Sequence, residues 1–224
     1  MNNQIAKKFD TLSLLKFTLP SMIMMLFMAL YQMVDAVFVS NFVSETALSA
    51  LNIVYPLISF IIAVAVMLAT GGSAVIAKKM GEGEHALARQ LFSMVVLIGV
   101  LFGIAMTLAG IFFTRPLIHL MGSTPALDPY CYDYLYTLML FSPFAVLQLL
   151  FQTFFITAGK PHLGLVVTVL AGIANIFFDF LFIVVIPLGV KGAAYGTAIG
   201  YCIPAIFGLI FFSLDRNGSL RFVK

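Results

Sequence analysis

Six long stretches of this sequence are continuously apolar, and their length is the strongest constraint on the fold. Each reaches the roughly 20 residues that an α-helix needs to cross the hydrocarbon core of a bilayer. Because that core holds no water, backbone polar groups must be paired within a helix or a closed barrel. Barrel strands alternate apolar and polar residues over about 10 positions, and these stretches do not alternate. We therefore predict an all-α integral membrane protein, a bundle of six transmembrane helices.

Short links rich in Gly, Pro and charge separate the predicted spans. They include residues 81–84, 159–161 and 187–189, whose composition is typical of turns. No domain-sized linker or low-complexity tract occurs, so we predict one transmembrane domain over residues 1–224. The predicted spans are residues 12–38, 48–77, 91–113, 130–155, 163–186 and 192–214.

Composition excludes several classes of function. Hydrophobic residues make up 62% of the chain and charged residues only 9%, too few to cover the surface of a soluble domain. The net charge of +3 is too small to predict a nucleic-acid partner. The three histidines fall in links or at helix ends, and the sequence has no HExxH, nucleophile elbow or phosphate loop. We expect no enzyme activity and no cofactor, and the lipid bilayer as the surrounding partner.

Lysine and arginine are distributed unequally between the two sides of the predicted bundle. Ten lie on the side of the termini and two on the other side. Basic residues accumulate on the cytoplasmic side of membrane proteins, so we predict that both termini are cytoplasmic, which an even number of spans requires. The ten are Lys7, Lys8, Lys16, Lys78, Lys79, Arg89, Lys160, Arg216, Arg221 and Lys224, and the two are Arg115 and Lys191.

We identify two carboxylates within the predicted spans, Asp35 in the first and Asp179 in the fifth. We find no lysine or arginine within the spans that could pair with them. Asp35 lies 19 residues after Lys16, and Asp179 lies 19 residues after Lys160. Both helices run from inside to outside, so the acids should reach the same depth in the outer half of the bilayer. Ionisable residues inside a membrane usually mark a functional site.

Polar neighbours extend this pair into a possible ion site. Asn175 lies one turn before Asp179, and Thr197 in the sixth span should reach a similar depth. The side-chain oxygens of Asn175 and Thr197, together with the two carboxylates, suit the binding of Na⁺. The two acids would equally suit one proton shared between them. Tyr31 and Gln32, one turn before the first acid, are candidates for the same polar network. The alternative is that these groups only satisfy one another and set helix packing. A cavity with acids and no bases favours cationic or neutral amphipathic compounds.

Several motifs resemble those of the MATE (multidrug and toxic compound extrusion) transporters, in register along the whole chain, and most closely the bacterial drug-export branch. The fifth and sixth spans carry the most specific match, N-x-x-x-D at 175–179 followed by P-L-G-V-x-G-A-A-x-x-T at 187–197. The other matching segments are VDAVFVS at 34–40, ALSAL at 47–51, GGSA at 71–74 leading to KMG at 79–81, and Gln152 through AGKP at 158–161.

This resemblance implies secondary active efflux of organic cations, driven by inward flow of Na⁺ or H⁺, in the plasma membrane of a bacterium. Carried over residue by residue, it implies a coupling-ion site formed by Asp35, Asn175, Asp179 and Thr197, with no other metal. Pro20 matches the proline about which the first helix of the family is proposed to bend, and a helical proline removes one backbone hydrogen bond.

Two further polar residues, Tyr134 and Gln152, are weaker candidates for the polar network or substrate cavity of such a transporter.

The chain departs from the family in length. MATE transporters have twelve spans in two lobes, and this sequence resembles the N-terminal lobe only. Because transporters built from repeats place their sites between the repeats, we expect a second six-helix lobe, in a longer chain or a paired one. Two alternatives remain: a lipid-linked oligosaccharide flippase of the same superfamily, which should have basic residues in its cavity, and a non-transporting membrane scaffold.

Overall fold

A computed structural model describes residues 11–215 and 218–223, and these form an α-helical bundle that contains no strand. The expectation of an all-α membrane fold is confirmed. The elements are α1 (Thr11–Phe42), α2 (Glu45–Gly81), α3 (His85–Leu120), α4 (Asp128–Leu140), α5 (Ser142–Thr157), α6 (Pro161–Asp179), a π-helical turn (Phe180–Val185) and α7 (Val190–Leu214).

Five helical segments of the described residues are long and apolar enough to cross a membrane: α1, α2, α3, α6 together with its π-helical turn, and α7. The helices α4 and α5 make a sixth span if counted together, and they bend by 56° where they meet. This agrees with the six predicted spans, although the fourth is broken and the others extend a few residues further. Lys7, Lys8, Arg216 and Lys224, used in the charge count, lie outside the described residues, and the cytoplasmic location of the termini stays a prediction.

The break between α4 and α5 has three identifiable causes. Pro143, near the start of α5, has no N–H to continue the helix ladder. The Ser142 hydroxyl lies 2.8 Å from the carbonyl oxygens of Gly103 and Met139, so it can donate to a carbonyl that the break leaves free. Finally, Gly103 of α3 lies directly against Pro143: a Cβ on it would be 2.8 Å from the proline nitrogen.

Sharp turns keep the remaining helices close together. Ser44 begins α2 by accepting a hydrogen bond from the Ala47 N–H at 3.0 Å. Gly159 follows the end of α5 with a φ of 75°, and Gly189 precedes α7 with a φ of 61°. Such positive φ values strain any residue with a Cβ, which explains why glycine stands in both links.

The short helix α5 lies near the centre of the bundle, and most of its side chains are buried. Its Phe151, Phe154 and Phe155 form an aromatic cluster with Phe92 of α3 and Phe212 of α7. The ring centroid of Phe92 lies 5.0 Å from that of Phe154 and 4.9 Å from that of Phe212. Aromatic pairs at such distances contribute about 0.5–1.5 kcal/mol each. Because lipid is as apolar as the bundle, close packing of this kind holds the helices together.

We predict that Gly103→Ala destabilises the bundle by displacing the α4–α5 break. The added methyl meets the backbone of Pro143, which cannot rotate away, and overpacking of this type costs about 1–3 kcal/mol. The melting temperature of the purified protein should fall. Gly71→Ala is the matched control, because nothing lies within 4 Å of a Cβ at that position. Equal melting temperatures for the two variants would contradict the account of the break.

Candidate functional site

Asp35 and Asp179 face each other inside the bundle. Asp35 lies in the last third of α1, and Asp179 is the final residue of α6, two helices that pack side by side. The two carboxyl groups are close enough to form a hydrogen bond if one of them holds a proton. As carboxylates both would be acceptors only, and two like charges would face each other.

These two acids have few protein partners. Asp179 is completely buried, and within the described residues no donor reaches either of its oxygens or Oδ1 of Asp35. The Thr197 hydroxyl lies 3.5 Å from the other Asp35 oxygen, a long hydrogen bond at best. All described ion pairs involve other residues. Three buried acidic oxygens therefore lack a partner, which is costly in an apolar interior unless a proton or cation is present.

Side chains from three helices complete the surroundings of the acid pair. Asn175, 2% exposed, lies one turn before Asp179 on α6, and its Oδ1 also lacks a donor among the described residues. Thr197 comes from α7. Tyr134 of α4 is buried, with its hydroxyl close to that of Thr197. The structure thus brings the four residues predicted for the ion site together with Tyr134.

The backbone beside Asp179 is irregular. The helix α6 ends at this residue and continues as a π-helical turn, Phe180–Val185. Single π-helical turns inside α-helical segments are rare and occur frequently at functional sites, because they re-aim side chains. No sequence pattern had predicted this turn.

A cavity of about 180 Å³ opens beside Asp35, between α1, α2, α4 and α7. Tyr31, Gln32 and Tyr134, all predicted for the polar network, line it together with Asp35 and Thr197. Sequence analysis missed three further polar lining residues: Asn52, Tyr55 and Tyr201. Asn52 could have been found, because a polar side chain within a predicted span is unusual, whereas tyrosines are common in membrane helices and give no such signal.

Two predicted residues lie away from this cavity. Gln152 is buried between α5 and α6, where its amide donates to the Thr168 hydroxyl at 3.0 Å, so it is not part of the cavity lining. Pro20 is buried inside α1, which runs unbroken from Thr11 to Phe42, and its role in bending stays a prediction. One turn before Gln152, the buried Gln148 lies beside Tyr31 and was not predicted.

The count of charged residues within the spans needs correction. Asp133 falls inside the range predicted for the fourth span, but it lies in the first half of α4, is partly exposed and pairs at 3.2 Å with Lys191 at the start of α7. Lys16 lies inside α1 near its beginning and is exposed. Both positions are close to helix ends, where charged side chains reach the interface. Asp35 and Asp179 remain the carboxylates deep within the described helices.

The donor set does not suit a transition metal. In the part of the chain that the structure describes, no group of three or more His, Cys, Asp or Glu side chains gathers at one place. Cys131 is buried and Cys202 half-buried, and they form no disulfide. The acid pair offers only oxygen atoms, which suit a proton or a hard cation such as Na⁺.

Comparisons with known proteins agree with this architecture. A family model described as MatE matches residues 20–181. A multidrug export protein MepA of Staphylococcus saprophyticus is 25% identical over 199 residues, which cover 89% of this chain and 44% of that protein. The MepA of Staphylococcus haemolyticus is also 25% identical, over 94% of this chain and 46% of that protein. The chain therefore spans about half the length of the curated relatives it matches.

Solved structures show the same relationship in three dimensions. A multidrug resistance MATE family transporter in an outward-facing conformation superposes with a TM-score of 0.91 at 22% identity, covering 98% of this chain and 49% of that one. A MATE protein in a bent conformation gives a TM-score of 0.88 with the same identity and coverage. At this level of identity the likeness supports the fold, which is that of one half of these transporters.

We predict that Asp35→Asn raises the melting temperature of the purified protein in Na⁺-free alkaline buffer. The substitution removes one of two facing charges and supplies an amide donor for Asp179. Giving a buried acceptor the hydrogen-bond partner that it lacks should stabilise the protein by about 1–3 kcal/mol. The melting temperature should rise by roughly 2–4 °C per kcal/mol for a chain of this size. Asp133→Asn is the matched control, since it breaks a partly exposed ion pair worth about 0–1 kcal/mol. A lower melting temperature for Asp35→Asn would show that the acids do not repel each other.

Proposed function

Because this chain belongs to the MatE family of membrane transporters, we propose that it forms the ion-coupling lobe of a secondary active exporter of cationic or amphipathic compounds. The family consists of transporters, not enzymes. The chain is a multi-pass protein of the bacterial plasma membrane, and its MepA relatives are named as multidrug export proteins. Antiport with Na⁺ or H⁺ would drive the export.

The facing carboxyl groups of Asp35 and Asp179 are the single observation that carries this proposal. Four side chains at this place, including Asn175 and Thr197, offer six oxygen atoms, and several of these have no donor among the described residues. The carboxylates would balance the charge of a Na⁺ ion, and the oxygen atoms would coordinate it. A proton bound there would instead form a hydrogen bond between the two acids. Either ion relieves the same electrostatic cost, so release of the ion would leave the lobe in a different, less stable state.

Coupling requires that ion and substrate sites influence each other, and the cavity supports this. Asp35 contributes both to the acid pair and to the cavity wall. A substrate cation that enters the cavity would therefore interact with the same carboxylate that holds the coupling ion. Binding of one would weaken binding of the other, which is the condition for antiport.

The mouth of the cavity supports a second lobe as the partner of this one. Gln32 of α1, with Asn52 and Tyr55 of α2, is exposed where the cavity opens. Exposed amides at this depth would face lipid in an isolated lobe, which is unfavourable. A second six-helix lobe across a water-filled cleft would solve this problem, and it would also account for the half-length match to the relatives.

The chemistry of the lining favours cations over phosphate-bearing lipids. No lysine or arginine is among the described residues that line the cavity, whereas a carboxylate and four tyrosines are. Aromatic faces and a carboxylate attract organic cations. A flippase for lipid-linked oligosaccharides would need basic groups, which only the second lobe could supply.

We expect Asp35→Asn to abolish efflux when the complete gene is expressed in cells. The measurement is extrusion of ethidium, a permanently charged organic cation, from preloaded cells, with protein amount checked by immunoblotting. The efflux rate should fall to that of cells without the transporter, while Asp133→Asn should behave as wild type. Undiminished efflux by Asp35→Asn would refute the ion-site assignment, and absence of efflux in the wild type would refute export of such cations.

The identity of the coupling ion can be read from stability. A ligand that binds only the folded protein stabilises it by RT ln(1 + [L]/Kd), about 2.7 kcal/mol at 100 times Kd. If Na⁺ is the ion, added NaCl should raise the melting temperature at constant pH, and equal KCl should not. If it is H⁺, lowering the pH should do so without Na⁺. Asp179→Asn should remove whichever response occurs, and a response unchanged in that variant would exclude this site.

A further inference from the structure

Three glycines of α7 face the helix that carries Asp179. Gly192, Gly196 and Gly200 recur every four residues and so lie on one side of the helix. Such small residues let transmembrane helices approach closely, and sequence analysis alone attributes them to packing. The structure shows that the three glycines face different atoms of the neighbouring helical segment.

The outer two glycines face no polar side-chain atom: Gly192 faces the backbone of Phe182, and Gly200 faces the Cβ of Asn175 rather than its amide. A Cβ on Gly192 would be 2.6 Å from the Phe182 carbonyl oxygen, so this glycine allows close approach of two backbones. A Cβ on Gly200 would lie 3.4 Å from the Asn175 Cβ, which is near an ordinary contact distance. Gly192 therefore allows the short distance between α7 and the π-helical turn that follows α6, whereas Gly200 is not strictly required for it.

Gly196 differs because the space beside it holds a functional group. A Cβ at this position would overlap Oδ1 of Asp179, and it would be 3.0 Å from the carboxyl carbon. The carboxyl group therefore occupies the volume that any other amino acid would fill. The following residue, Thr197, reaches the Asp35 carboxylate at 3.5 Å. Two successive residues of α7 thus contact the two acids, one by lacking a side chain and the other through its hydroxyl.

We propose that Gly196 is a positioning residue for the coupling-ion site. This inference rests on the proposed function of the acid pair. The missing side chain lets the Asp179 carboxylate lie against α7, beside Asp35 and Thr197, where both acids can hold one ion. Any side chain at position 196 pushes the carboxylate out of this arrangement and weakens ion binding, without preventing α6 and α7 from packing.

The fold should tolerate the change because the obstructing atoms can move. The severe overlap is with the end of a side chain that has two rotatable bonds, and the nearest backbone atom, the Asp179 nitrogen, would be 3.2 Å away. At Gly192 the two closest atoms are backbone, at 2.6 and 2.8 Å. Gly196→Ala is therefore expected to rotate Asp179 rather than to separate the helices. Displaced supporting contacts around a bound ion typically reduce its affinity about 10–100-fold.

The test compares Gly196→Ala and Gly200→Ala with wild type in purified protein reconstituted in lipid nanodiscs. The probe is NaCl or pH, whichever raises the wild-type melting temperature, and the half-saturating concentration of that ion is measured. Infrared difference spectra of the carboxyl bands, assigned by comparison with Asp179→Asn, report the state of Asp179. We expect Gly196→Ala to raise the half-saturating ion concentration at least about tenfold and to alter the carboxyl bands of the infrared spectrum. Gly200→Ala should stay within about twofold, and both ion-free proteins should remain folded.

A second pair of variants separates positioning from packing. In an Asp179→Ala background the obstructing carboxylate is gone, so Gly196→Ala should no longer change the ion-free melting temperature. An equal loss of stability in both backgrounds would overturn the inference, as would wild-type ion affinity in Gly196→Ala. If wild type itself responds to neither Na⁺ nor pH, the proposed function fails and the inference fails with it. If wild type and Asp179→Asn differ but Gly196→Ala matches wild type, only the inference fails.

Discussion

Two carboxyl groups that face each other in an apolar interior are the constraint around which this lobe is organised. Asp179 is fully buried, Asp35 lies against it, and neither has a basic partner among the described residues. Burying such a pair is unfavourable unless an ion is shared. The residues around the pair follow from that requirement: an amide and a hydroxyl supply oxygens, the π-helical turn re-aims the end of α6, and Gly196 leaves room for a carboxylate.

The close contact of α6 and α7 links this site to the stability of the bundle. Gly192 brings the two backbones together near the π-helical turn, and Gly196 accommodates Asp179 one turn further. On the other side of α7, Phe212 joins the aromatic cluster built around α5. Because the same helix contacts both regions, a change in ion occupancy has a rigid element through which to act on the rest of the lobe.

Sequence reasoning recovered most of the architecture because the bilayer leaves few choices. Six apolar segments of sufficient length, separated by turn residues, define a helical bundle with little ambiguity. It missed the break at Pro143, because a proline in a long apolar run does not reveal whether the helix only kinks or stops. The break depends on Gly103 and Ser142, which contact it across the bundle. The π-helical turn after Asp179 was missed as well, because it covers only six residues and hardly changes the spacing of apolar residues along the sequence.

At the site, the sequence by itself singled out Asp35 and Asp179 and predicted similar depths for them, because a helix advances a constant distance per residue. It could not determine which helices are neighbours. Only the tertiary structure placed Asn52, Tyr55 and Tyr201 around the cavity, and only it showed that Gln152 pairs with Thr168 away from the cavity. Only it distinguished Gly196 from the other glycines of α7, because the meaning of a missing side chain depends on which atoms occupy its space.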